Sequence, residues 1–152
     1  MDTNRERGIG YLILRAFFAQ FWALQFWFKL HDPDSGITAL RNLGFWAHHT
    51  AGELSKTPLP GLLVGPYTAA LPWVELALGV LFALGLWQRA ALTGAALLLV
   101  SLDLGLMLQG KHEDVARNML FLLPTLFALQ WEPSGRGFSL DALLARRRGP
   151  PA

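Results

Sequence analysis

The sequence contains no cysteine. That excludes a disulfide, an internal thiol relay and a thiolate metal site, and it leaves the redox compartment open. Charge is scarce as well, at 16% Asp, Glu, Lys and Arg, where a globular domain carries about a quarter. The formal net charge of +2 is too small to argue for a nucleic-acid partner. Tyrosine is rare, with two residues beside ten Phe and six Trp. The chain has no glycine-rich phosphate loop, no nucleophile elbow and no Ser/His/Asp spacing that points to hydrolysis. Its histidines, His31, His48, His49 and His112, show no ligand spacing, and adjacent His48 and His49 point different ways on a helix. HED at 112–114 comes nearest to a ligand set, and no metal is assigned.

What is present is hydrocarbon, 53% of the residues. Four stretches approach the ~20 residues a helix needs to cross a bilayer: about 9–30, 67–87, 90–108 and 115–131. The last is short and carries Pro124. Four such spans in 152 residues leave too little polar surface to cover them in water. The expected fold is an all-α membrane protein: a four-transmembrane-helix bundle, one domain over 1–152, with lipid as its surroundings. Arg5 and Arg7 precede the first run, but that run is too long for a signal core and no small-residue cleavage site follows, so a retained helix is expected.

Basic residues set the expected orientation. One side holds Arg5, Arg7, Arg89, Arg136, Arg146, Arg147 and Arg148, and the other only Arg41, Lys56 and Lys111. Both termini, the Gln88-Arg89 turn and the basic tail 132–152 are therefore expected in the cytoplasm. In the first outer loop, Asp34 or Ser35 can cap a short interfacial helix whose Ile37, Leu40, Leu43, Gly44 and Ala47 share a face. TPLPGLLVGP, which follows, is expected to be irregular.

Inside LPWVELALGVLFALGL stands one carboxylate, Glu75. The expected topology brings it to the depth of Lys29, Asp103 and Arg117, with Asn118 beside them, all within roughly 10 Å of the outer boundary. Unpaired, each charge costs about 3 kcal/mol at the bilayer centre and less near the interface, so Glu75, Asp103 and Arg117 are expected to face inward and neutralise one another. Arg15, Trp22, Gln25 and Lys29 form a polar stripe on the first helix, with Arg15 deeper and nearer the cytoplasm. The cluster reads either as an ion network that fixes helix register or as a site for a quinone head or small anion, walled by Trp22, Phe26 or Trp73. Gly79, Gly85, Gly94, Ser101 and Gly105 allow helices to approach closely.

Order and spacing of several motifs resemble a DoxX-type membrane protein. They are Arg15 and Lys29-Leu30 in the first span; Glu75, Gly79, Gly85-Leu86 and Arg89 in and after the second; and Gly135, Arg136, Gly137, Ser139, Leu140 and Asp141 near the end. The resemblance implies a four-helix protein of the bacterial inner membrane, related to the small subunit of a thiosulfate:quinone oxidoreductase, to oxidative-stress complexes and to assembly factors. The long aromatic first loop and the missing cysteines depart from that pattern. Three functions follow as expectations. A redox-associated subunit would need a protein partner, because no flavin, haem or metal motif is present to carry electrons. A non-catalytic scaffold or assembly partner would dock through the first loop. A small transporter would need a homodimer.

Overall fold

The computed structural model describes residues 3–31, 36–135 and 139–140. The five helices are α1 (Thr3–Leu30), α2 (Arg41–Leu54), α3 (Gly61–Leu84), α4 (Gln88–Leu108) and α5 (His112–Gly135). The all-helical expectation holds for these residues, apart from one isolated antiparallel bridge between His31 and Thr38. Among the described residues, three helices are long and apolar enough to cross a membrane: α1 from Arg5 to Leu30, α3 and α4. α5 is 24 residues long, but Glu113, Asp114, Arg117, Asn118 and Glu132 dilute its apolar content, and it falls short of that measure. On length and composition the expected four crossings become three.

α1 is the centre of the bundle. It packs along α3 on one side and α5 on the other, and α4 closes the ring by packing on α5 and, less extensively, on α3. The core comes from all four: Phe18 and Trp22, Leu78 and Phe82, Leu92, Ala95 and Leu99, and Ala128. On α4 the inward residues Leu92, Ala95, Leu99 and Asp103 recur every three or four positions, while Leu97, Val100 and Leu104 face outward. Lipid is as apolar as leucine, so close packing must join the helices. At the α1–α3 crossing, a β-carbon on Gly79 would stand 3.1 Å from the Ala23 backbone nitrogen. Only glycine lets the two backbones come that near.

Helix boundaries differ from the sequence expectation where proline was read as a stop. α3 starts at Gly61, behind an extended Pro60, and runs through both Pro66 and Pro72. Pro66 deprives the Leu62 carbonyl of its helical donor, but Leu62 is the exposed second residue of the helix, where water or headgroups can serve. α5 also starts earlier than expected, at His112, and extends to Gly135.

The short helix expected in the first loop exists, in a different register. Asp34 and Ser35 lie outside the described residues, and α2 begins only at Arg41, with no side-chain cap. Leu43 and Leu54 are its buried residues, whereas Ile37, Leu40 and Gly44 are exposed. The cause is the segment before the helix. His31 pairs with Thr38, the Ala39 amide donates to the Leu30 carbonyl, and the Asn42 side-chain amide donates to the carbonyls of Leu30 and Ile37 at 2.9 Å. These bonds fold Ile37–Ala39 back onto the end of α1, so the helix starts a turn later and buries Leu43 and Leu54.

The α3–α4 turn is made by Gly85, Leu86 and Trp87 rather than by Gln88-Arg89. The amides of Gly85 and Leu86 both donate to the Leu81 carbonyl, with Gly85 left-handed at φ 71°. A β-carbon there would also stand 2.9 Å from an Arg15 guanidinium nitrogen and 3.1 Å from Ser139. Gly85→Ala is therefore expected to cost about 1–3 kcal/mol, combining left-handed strain with overpacking. Gly52→Ala, in the helical interior of α2 with open space around it, should be neutral or slightly stabilising. Thermal unfolding of both variants in mild detergent checks the contrast.

Candidate functional site

The last turn of α1 carries Lys29, where a cation complements the carbonyl end of the helix dipole. Its ammonium donates to both oxygens of Glu75, at 2.7 and 2.5 Å, and reaches the Gln25 carbonyl at 3.5 Å. Glu75 is carried inward by α3 on the stripe that also buries Leu71, Leu78 and Phe82, and it is 2% exposed. α2 completes the arrangement by laying the Trp46 ring 4.7 Å from the Lys29 nitrogen. A desolvated cation over an indole face gains about 2 kcal/mol, so the contact that covers the pair also anchors α2. One ion pair thus joins three helices.

Beside it a notch of about 240 Å³ is bordered by Lys29, His31, Asn42, Phe45 and Trp46. The polar groups around the notch are already engaged: Lys29 with Glu75, Asn42 with two carbonyls, and His31 Nδ1 with Thr38 Oγ1 at 3.0 Å. The arrangement is built to hold three elements in register.

The remaining residues of the expected cluster are dispersed. Arg117 is a correction: it lies on the surface, its side chain 71% exposed, and pairs with Asp114 at 3.3 Å one turn earlier. Because α5 starts at His112, Arg117 stands in its second turn, close enough to the helix end to reach a polar boundary, and Val115 takes the inward position instead. Asp103 does face inward, one turn beyond Leu99, but it makes no ion pair among the described residues. Its Oδ1 and the Trp22 indole nitrogen are both buried without a hydrogen-bond partner there. Asn118 and Gln25 are half-buried, and Gln25 contributes only its backbone carbonyl. Arg15 lies at the far end of the bundle, its guanidinium against Gly85 and Ser139. Among the described residues Glu75, Asp103 and Arg117 are not brought together around a cavity: Glu75 pairs tightly with Lys29, and Arg117 points away.

Open space lies instead under α2. An apolar groove of about 180 Å³ is lined by Leu54, Leu59, Leu63, Val64, Tyr67, Ser101, Leu104 and Gly105. A second hollow of about 210 Å³ shares Leu54, Tyr67, Ser101 and Gly105 and adds a polar rim of His49, Glu53, Gln109 and Lys111. On that rim the hydrogen bond and charge of Lys56 hold the Glu53 carboxyl below the ordinary carboxylate range.

Several polar contacts lay beyond the sequence reading. Tyr11 on α1 donates to Gln88 Oε1 at 2.5 Å, and the Gln88 amide donates to the Leu81 carbonyl at 3.0 Å. Tyr67 and Ser101 share a hydrogen bond of 2.9 Å between α3 and α4. Glu132 and Ser139 are buried toward the Arg15 end. Both tyrosines of a chain that otherwise uses phenylalanine thus serve as bonds between helices; their rarity is the signal that could have found them. Glu75→Gln is expected to destabilise by about 3–5 kcal/mol, because it leaves Lys29 buried without a counter-charge. The apolar pair Lys29→Met with Glu75→Leu should recover most of that loss, and Glu53→Gln, on the solvated rim, should change little. Thermal denaturation of the four proteins in detergent tests the cycle.

The family described as methylamine utilisation protein MauE matches residues 7–112. No curated protein and no solved structure matches the chain. The family match corrects the DoxX resemblance. It covers α1 to the start of α5 and stops short of the glycine-basic-serine stretch near residue 139, part of which lies outside the described residues. Motifs such as a glutamate and spaced glycines in an apolar helix report on bundle packing, which unrelated membrane helices share. Over more than half its length, from the Lys29 and Glu75 helices through Asp103, the chain belongs to the MauE family of membrane proteins.

Proposed function

We propose that this protein is a non-catalytic, multi-pass membrane subunit that supports the assembly of a partner protein in a methylamine-utilisation system, with α2 as the docking surface. The observation that carries this reading is the way α2 is mounted. Trp46 over Lys29, the two Asn42 bonds and buried Leu43 and Leu54 fix the helix to the bundle, while Phe45 remains 72% exposed beside Arg41, His48 and His49. A rigid helix that presents an aromatic residue among cationic and titratable ones suits recognition, where Arg and aromatics supply most binding energy. The absence of cysteine excludes thiol chemistry within the chain, and the Glu75 carboxylate is already engaged by Lys29.

The same reading takes α5 as a fourth crossing. Trp131 beside Gly10 and Phe121 stacked on Phe21 at 4.4 Å support an antiparallel α5 along most of α1. Both termini then share one side, which the basic-residue asymmetry assigns to the cytoplasm of a bacterial inner membrane, with α2 outside. A second reading, a quinone or small anion bound near the outer face, is supported by the groove under α2 and its polar rim rather than by the sealed Glu75.

Photo-crosslinking from position 45 in native membranes is expected to trap a specific partner that Trp46→Ala releases. Labelling at position 45 but none from position 97, on the lipid face of α4, is the supporting pattern; equal labelling from both removes the docking role. Reporter fusions at the C-terminus and in residues 41–56 should report opposite sides. A thermal shift of the purified protein with quinone analogues, retained in Glu75→Gln and lost in Tyr67→Phe, would favour the second reading.

A further inference from the structure

α1 carries a polar side chain in an unexpected place. Gln20 lies about midway between Ile9 and Leu30, roughly 15 Å from either end of the apolar run. Its side chain is exposed on the outer face of the bundle and makes no hydrogen bond among the described residues. Hydroxyls elsewhere in the helices are satisfied by their own backbone: Thr93 donates to the Arg89 carbonyl at 2.9 Å and Thr125 to that of Phe121 at 2.8 Å. A primary amide left bare in hydrocarbon loses several kcal/mol of hydrogen bonding relative to water. Something must meet it at that depth.

The surroundings say what kind of surface would. Ile13, Phe17, Gln20, Leu24 and Trp27 are all exposed and recur at alternating spacings of four and three, the repeat of a helix–helix seam. Exposed Ala16 and Ala23 stand one turn to either side of Gln20 and leave room for a second backbone. Beside the seam, a hollow of about 500 Å³ between α1 and α5 reaches from Ile13 to Trp131 and can take side chains from a neighbour.

We propose that this face of α1 joins two copies of the chain, with the Gln20 amides hydrogen-bonded to each other at the centre of the seam. An amide holds a donor and an acceptor, so two related by a two-fold axis along the membrane normal satisfy one another without further chemistry. A single polar residue in an apolar seam also fixes register, as a buried amide does in coiled coils. The interface lies on the face of α1 away from Lys29 and Glu75 and does not depend on the docking role of α2.

The absence of native cysteine makes the test direct. Ala16→Cys, Ala23→Cys and, as a control on the lipid face of α4, Leu97→Cys are oxidised in membranes and the products identified by mass spectrometry. Disulfide-linked homodimers at positions 16 and 23, but not at 97, are expected. In liposomes, Gln20→Leu should raise the dimer dissociation constant about three- to twentyfold, read by energy transfer between labelled copies on dilution into lipid. Its thermal midpoint under monomeric conditions should stay unchanged, since Gln20 loses no contact within its own chain. No cross-link on α1, equal cross-linking at 97, a trapped product that is a different protein, or a Gln20→Leu dimer of unchanged affinity would each overturn the proposal.

Discussion

A charge pair in an apolar bundle sets the terms for the rest of this structure. Neither Lys29 nor Glu75 can stay buried alone, and each reaches the other only if α1 and α3 cross at one height and one rotation. Gly79 makes that crossing near enough, and the cation then draws the Trp46 ring, and with it α2, over the end of the bundle. Hydrophobic burial is undiscriminating between lipid and protein surroundings, so these directional contacts decide which faces turn inward. The ion pair contributes specificity more than net stability.

The opposite end, where Arg15 and the buried Glu132 lie, adds a second set of polar contacts for the same purpose. Tyr11, Gln88 and the Leu81 carbonyl form a chain of hydrogen bonds that ties α1 to the α3–α4 turn, with Arg15 packed against Gly85. Between the two ends the core is apolar and aromatic, from Phe18 against Phe82 to Phe21 against Phe121. The protein is pinned at both ends and greased in the middle.

Much of this could be read from residue order. Three long apolar helices, the inward Glu75 and its Lys29 neighbour follow from hydropathy, from the expense of a bare charge, and from the depth that an alternating topology gives each residue. The placement of Arg117 did not follow, because helix length near a span boundary decides whether a charge can reach a polar phase, and α5 begins a turn earlier than its apolar run. The face of α2 was misjudged for a similar reason: backbone bonds from Ala39 and side-chain bonds from Asn42 delay the helix, and such capping is invisible to periodicity. Trp46 was legible as an aromatic, and its role as a lid on Lys29 was not, since cation–π contacts carry no sequence spacing. The DoxX resemblance failed because glycines and lone acids record how helices pack, whereas kinship is recorded along the whole chain.

The position of Lys29 in the final turn of α1 has a consequence for how the chain is made. Its partner is 46 residues further on, so Lys29 is synthesised well before Glu75. A lysine in the middle of α1 would face hydrocarbon unpaired throughout that interval. At the end of the helix its four-carbon stem can hold the ammonium among headgroups until α3 arrives, then swing it inward when the carboxylate presents itself. The register of the finished bundle is thereby set by a charge that can wait outside the membrane core.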